Sequence, residues 1–177
     1  MRLRFATLSI GWRCLSVSML RFAGCVPLIV LLGAAPSPAM DPLRFFEGRT
    51  LAESSLKIVM KKPVATRTIG EGKIERDGSL TLIQTAFHDG KPEKQRHWRV
   101  RRAGADMFKA SMNEAVGPVT IERVGNAYRF RYRMKGQLSV EQWVKPLAGG
   151  KSAQSSMKVK KLGLVVASSE GTIRKIG

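Results

Sequence analysis

From Tyr128 to Lys135 apolar and basic residues alternate without a break. Tyr128, Phe130, Tyr132 and Met134 hold the even positions; Arg129, Arg131, Arg133 and Lys135 hold the odd ones. Side chains alternate across a strand, so the pattern predicts one aromatic face and one strongly basic face. Leu138-Ser-Val-Glu-Gln-Trp143 is the returning strand, and Gly136 supplies the permissive backbone of the turn between them. Two registers compete. A two-residue turn at Gly136-Gln137 would set Glu141 opposite Tyr132, among the rings, and Val140 among the arginines. A bulged loop Met134-Lys135-Gly136, with Gly136 left-handed, moves Leu138 and Val140 to the aromatic face and sets Glu141 against Arg129 and Arg131. The second is favoured, because a lone carboxylate among rings costs more than an ion pair on the polar face. Trp143 then shares the arginine face, where its ring can stack on a guanidinium.

The same short-strand pattern recurs from Leu51 onward. Leu51–Lys61, Ala65–Glu75, Ser79–His88, Lys94–Arg102, Met107–Met112 and Val119–Val124 read as strands before the central hairpin; Gln154–Lys161 and Leu164–Ile173 follow it. Turn residues separate them, among them Pro63, Asp77-Gly78, Asp89-Gly90, Gly117-Pro118 and Gly149-Gly150. Short strands at a spacing of roughly 8–12 residues, with no amphipathic helix among them, predict an all-β barrel or sandwich. Consecutive hairpins favour an up-and-down barrel, because closure removes the edges through which strands aggregate. At the start, Asp41-Pro42 predicts one helical turn, and Phe45 and Phe46 are placed to plug one end of the fold. Gly70-Glu-Gly72 has part of the look of a dinucleotide loop. It lies in a strand pattern with no helix after it, so it is read as a bend in a strand.

At 177 residues the chain is expected to hold one domain plus an N-terminal extension. Residues 1–40 carry four basic residues and no acidic one, with an apolar segment from Phe22 to Ala35. Its core, Val26–Leu32, is shorter than the roughly 20 apolar residues a spanning helix needs. With Arg21 before it and Ser37-Pro-Ala39 after it, the segment predicts a secretory signal peptide over residues 1–39 and a mature domain over 40–177. Met19 would be the more economical start, and an uncleaved anchor is the alternative. Phe22-Ala-Gly-Cys25 resembles the box at which bacterial lipoproteins are acylated. Arg21 lies directly before it, and the apolar run follows Cys25 where it should precede it, so no lipid anchor is expected there. Cys14 is the other cysteine, so a chain from Met40 has no disulfide and no thiolate metal site.

The expected location is the periplasm or cell envelope. Beyond residue 40 there are 27 basic residues against 13 acidic ones, a net charge near +14. Such a field attracts nucleic acid, anionic lipid headgroups or acidic polysaccharide, and export sets nucleic acid aside.

Catalytic chemistry has little to stand on. There are two histidines and no H-E-x-x-H, G-x-S-x-G or phosphate loop, so neither a cofactor nor a metal is expected. His88, beside a turn, is expected at the surface; His97, beside Trp98, is expected to be satisfied or exposed. Glu141 either neutralises the arginine row or joins Trp143 and Arg131 at a barrel mouth or in its lumen, binding a polar or anionic group. The candidate ligand-binding residues are Trp98, Arg129, Arg131, Tyr132, Glu141 and Trp143, the two tryptophans being as well suited to a core.

Four stretches run through residues 41–177: Asp41-Pro-Leu-Arg-Phe-Phe-Glu-Gly-Arg-Thr50, Ala115-Val-Gly-Pro-Val119, Tyr132-Arg-Met134 with Glu141-Gln-Trp143, and Glu170-x-Thr172-Ile-Arg-Lys175. In combination they resemble the bacterial domain-of-unknown-function (DUF) 3833 family of small envelope proteins, often labelled lipoproteins. The resemblance implies a lipocalin-like β-barrel and an envelope location, with no established activity. The expected fold is a single antiparallel up-and-down barrel of about 8–10 strands, its interior either filled by side chains or holding one small ligand. In one mode an amphiphilic, lipid-like ligand enters the lumen and its acidic head meets Arg131 and its neighbours. In another the lumen is packed and the basic outer face docks on anionic envelope lipid or polymer, a peripheral membrane contact. An enzyme holding Glu141, Tyr132 and an arginine in a polar interior is the competing class. A monomer is expected.

Overall fold

The structure, a computed structural model, describes residues 41–88, 90 and 92–177. The expected leader, with Cys14 and Cys25, lies outside these residues. Within them a short helix, α1 (Pro42–Phe46), precedes ten strands. The first five are β1 (Gly48–Ile58), β2 (Val64–Ile74), β3 (Leu80–His88), β4 (Lys94–Arg102) and β5 (Met107–Met112). The others are β6 (Val119–Val124), β7 (Ala127–Met134), β8 (Leu138–Pro146), β9 (Ser152–Lys161) and β10 (Leu164–Lys175). Consecutive strands pair antiparallel, and β1 pairs with β10, so the sheet closes into an up-and-down barrel without edges. No helix among the described residues is long and apolar enough to cross a membrane.

The strands follow the alternation closely, with one correction. Val59, Met60 and Lys61, read as the end of the first strand, form a turn in which Lys61 N donates to Ile58 O at 3.0 Å. In the central hairpin Tyr132 lies opposite Val140, and Arg131 opposite Glu141. The faces therefore divide as the bulged register requires, with Tyr128, Phe130 and Val140 buried. The loop is Lys135-Gly136-Gln137, one residue later than expected, with Gly136 (φ 78°) and Gln137 (φ 61°) both left-handed. Against the expected loop, the pairing shifts by two residues. Such a shift leaves every side chain on its face, so the parity argument survives the misplaced loop.

One end of the barrel is closed by α1. Asp41 caps the helix, its Oδ1 accepting from Leu43 N at 3.0 Å, and Pro42 presets the first helical position. Five residues make no stable helix alone; burial of Leu43, Phe45 and Phe46 holds this one in place. Two hydrogen bonds latch it to the rim: Arg102 donates to Asp41 Oδ2 at 2.7 Å, and Lys175 Nζ donates to the Arg44 carbonyl at 2.9 Å. Gly70-Glu-Gly72 lies within β2, paired on both sides without a register shift. Gly72 instead marks a close approach, since a Cβ there would lie 1.8 Å from the Phe46 carbonyl oxygen. Next to α1 the buried cluster consists of Leu80, Val100, Phe108, Ile121, Val144 and Ile173.

Candidate functional site

The barrel interior is partly hollow. A cavity of about 480 Å³ is lined from Leu43 and Phe46 of α1 to Ile58, His88 and Val159 at the far end of the strands. Its existence follows from the inward residues. Ala52, Ser54, Thr66, Thr68, Ser155 and Gly171, on β1, β2, β9 and β10, are small, and Trp98, Phe130 and Tyr132 on other strands leave the space unfilled. At Gly171 even a methyl group is excluded, because a Cβ would come within 2.1 Å of the Glu53 carbonyl oxygen.

The lining is mainly apolar, with a few polar groups held in place. Trp98 Nε1 donates to Gln84 Oε1 at 2.9 Å, and the Trp98 ring meets Tyr132 edge-on at 5.9 Å. Gln142 Nε2 donates to Ser155 Oγ at 2.9 Å. Burial pushes the Tyr132 phenol above its ordinary pKa, so it stays protonated and able to donate at neutral pH. Arg96 is the cation of the lining. Its Nε donates to Glu114 Oε2 at 2.7 Å, and Lys94 Nζ lies 2.5 Å from Glu114 Oε1. Burial works to raise the Glu114 carboxyl, but hydrogen bonds from Lys94 and Arg96 outweigh it and the net pKa is lowered from 4.5.

A consequence can be measured. A carboxyl with a depressed folded pKa contributes stability above its unfolded value, and that stability is lost as pH falls through the folded value. Glu114→Gln is therefore expected to unfold at lower urea than the parent at pH 7. The gap should close as pH drops below about 4.5, the ordinary value. A gap that persists at pH 2 would show that the charge on Glu114 is not what matters.

The barrel divides the sequence-derived candidates. Trp98 and Tyr132 line the cavity, whereas Arg129, Arg131, Glu141 and Trp143 are not among its lining residues. Those four sit on the outward parity of β7 and β8, so Arg131 and its neighbours do not await an acidic head in the lumen. The enzyme constellation of Glu141, Tyr132 and an arginine is likewise split between two faces. Outside, Arg129 Nε donates to Glu122 Oε1 at 2.5 Å and Arg131 lies 3.2 Å from the same atom. Glu122 of β6, not Glu141, is thus the partner of the arginine row. Glu141 Oε1 accepts from the Trp143 indole at 3.2 Å, and the Arg129 guanidinium stacks over the Trp143 ring at 5.4 Å. Glu141→Gln keeps this acceptor in a half-exposed setting, so urea denaturation is expected to show a change below about 1 kcal/mol.

Arg96, Gln84, Gln142 and His88 were missed. His88, expected at the surface, is half-buried in the cavity lining; His97 is exposed as expected. The missing signal was available in the alternation. Arg96 shares parity with Trp98 and Val100, Gln84 with Leu82 and Ala86, and Gln142 with Val140 and Val144. A polar residue on the parity of a core row must face the lumen. Among the described residues no group of three or more His, Cys, Asp or Glu could hold a metal.

Similar barrels occur among solved structures. An S-type phycobiliprotein lyase, CPES from Guillardia theta, superposes with a TM-score of 0.62 at 7% identity, covering 76% of this chain and 90% of its own. A DUF3598-family protein of unknown function from Nostoc punctiforme gives 0.56 at 10% identity, covering 81% of this chain and 53% of its own. Rv2717c from M. tuberculosis gives 0.57 at 12% identity, covering 81% of this chain and all of its own. At these identities the likeness establishes the lipocalin-like fold alone. Comparison with curated protein sequences finds no match. The family model described as "Protein of unknown function (DUF3833)" matches residues 19–173, most of the sequence, and the chain belongs to that family.

Proposed function

We propose that this barrel binds one small amphiphilic, lipid-like molecule in its lumen. The half-filled interior carries the reading: about 480 Å³ of space closed at one end by α1. Ligand cavities of roughly 300–1,000 Å³ with apolar walls and few convergent polar groups are the usual form of small-molecule sites. An acyl chain would lie among Leu56, Phe130, Val140 and Met157, and its head would meet Arg96, Tyr132 and His88. Arg96 uses Nε on Glu114, which leaves its other guanidinium donors for an anionic head. The leader pattern supports a cell-envelope setting for this binding, and a phycobiliprotein lyase built on the same barrel supports ligand handling by the fold.

Trp98 is a reporter inside the lumen, and Trp143→Phe removes the indole on the outer wall. In that background oleate is expected to shift Trp98 emission saturably at a 1:1 ratio. Thr68→Phe, a bulky residue on the lumen wall, should abolish the response while leaving the barrel folded by circular dichroism. Arg96→Gln should weaken oleate about tenfold and oleyl alcohol little, because only the first has a charge to meet. An emission spectrum unmoved by oleate, lysophospholipid and an anilinonaphthalene sulfonate probe, with a native mass showing no bound molecule, would sink the reading.

A further inference from the structure

Beyond the lumen, its far rim carries a feature that ligand binding does not use. Because β1 pairs with β10, the turns β1–β2 and β9–β10 stand side by side, and Val59 N donates to Val166 O at 3.0 Å. Their tips hold large apolar side chains in the open. Met60 is 99% exposed, Leu162 79% and Leu164 74%. Met60 (φ 61°) and Leu162 (φ 50°) also occupy the left-handed backbone region, where glycine or asparagine would serve the turn better. Neither the fold nor the turn chemistry accounts for such residues at these positions.

The charge around them is equally one-sided. Residues 54–66 and 155–169, the ends of two hairpins with their turns, contain Lys57, Lys61, Lys62, Lys158, Lys160 and Lys161 and no carboxylate. Ile58 and Val159 line the cavity next to the same tips, so the patch borders the lumen. Apolar tips within a lysine collar match the chemistry of an anionic bilayer: acyl chains take up the apolar groups and lipid phosphates face the ammonium groups. An acidic polysaccharide would engage the lysines and leave Met60, Leu162 and Leu164 in water.

We infer that the protein docks this rim on an anionic lipid bilayer, with Met60, Leu162 and Leu164 inserted at the boundary between headgroups and acyl chains. The lumen then borders the membrane surface. The inference rests on the rim alone and does not require an occupied lumen.

Flotation with phosphatidylcholine vesicles, with and without 30% phosphatidylglycerol, tests it. The protein is expected to float with the anionic vesicles at least tenfold more than with the neutral ones. Binding should weaken between 0.02 and 0.2 M salt, as the screening length falls through about 10 Å near 0.1 M. The triple variant Met60→Asp, Leu162→Asp, Leu164→Asp should lose at least tenfold in anionic binding with an unchanged circular dichroism spectrum, because these side chains contribute nothing to the core. Leu162→Trp should show blue-shifted emission on anionic vesicles and quenching by brominated acyl chains. The lumen-wall variant Thr68→Phe, away from the rim, should float as the parent does, which separates this inference from ligand binding. Equal flotation of the triple Asp variant, or an unshifted Leu162→Trp emission, would overturn insertion. So would binding to a sulfated polysaccharide as tight as binding to vesicles.

Discussion

Gly72→Ala is expected to destabilise the barrel by about 3 kcal/mol. The added Cβ would sit 1.8 Å from the Phe46 carbonyl oxygen, a backbone atom that cannot rotate away. Two relaxations are open. If β2 moves, the barrel wall distorts as in an overpacked core, at about 1–3 kcal/mol or more. If α1 moves, Leu43, Phe45 and Phe46 leave their buried places, at about 1.5–3 kcal/mol for each side chain fully exposed. The cheaper route sets the loss. Urea denaturation measures it, and Gly104→Ala is the control: its nearest neighbour is Met107 Cβ at 3.7 Å, ordinary contact. Equal midpoints for the two variants would show that α1 is not seated against β2. Because α1 forms the floor of the cavity, Gly72→Ala is also expected to weaken oleate binding, which Gly104→Ala leaves alone.

Phe108→Ala is expected to cost about 3–5 kcal/mol, from lost transfer energy plus a sealed void. Phe108 is 2% exposed, opposite Ile121 in the β5–β6 pairing, with its ring edge-on to Tyr128 at 6.3 Å. The Arg102 guanidinium lies over that ring at 4.8 Å and reaches on to Asp41, the cap of α1. Truncation therefore opens a void in the buried cluster and loosens one latch of the plug together. Phe130→Ala is the informative comparison. Phe130 is also buried but borders the existing cavity, so its removal widens an open space and should fall at the lower end of the same range. A lowered urea midpoint at unchanged slope would mark both as losses of stability alone. A Phe108→Ala midpoint within error of the parent would show that this cluster is not the core.

Much of this architecture was legible in the residues. Strand positions, the hairpin faces and the plugging role of Phe45 and Phe46 follow from two-residue alternation, turn residues and the Asp41-Pro42 helix start. These are local effects, decided within a few residues of backbone. The candidate site was legible only in part. Trp98 and Tyr132 were named and line the lumen. Arg131, Glu141 and Trp143 were named for their unusual neighbours and lie outside. A dense arginine row attracts notice, yet in a closed barrel such a row is the solvent face. The single arginine at Arg96, on the parity of Trp98, is the one that lines the cavity.

By itself, then, the sequence determined the all-β class, a run of about 8–10 alternating strands, the strong positive charge and which residues share a face. Tertiary structure alone decided which face is inside, because that depends on β1 meeting β10 across 109 residues from Ile58 to Ala167, where no local pattern reaches. It also decided that the lumen is partly hollow. Volume left by Ser54, Thr66, Ser155 and Gly171 on one set of strands counts as a cavity only once the strands bearing Trp98 and Phe130 are placed around it. The lysine-flanked tips at Met60 and Leu162 are far apart in sequence and become one surface for the same reason: barrel closure sets the first and last strands side by side.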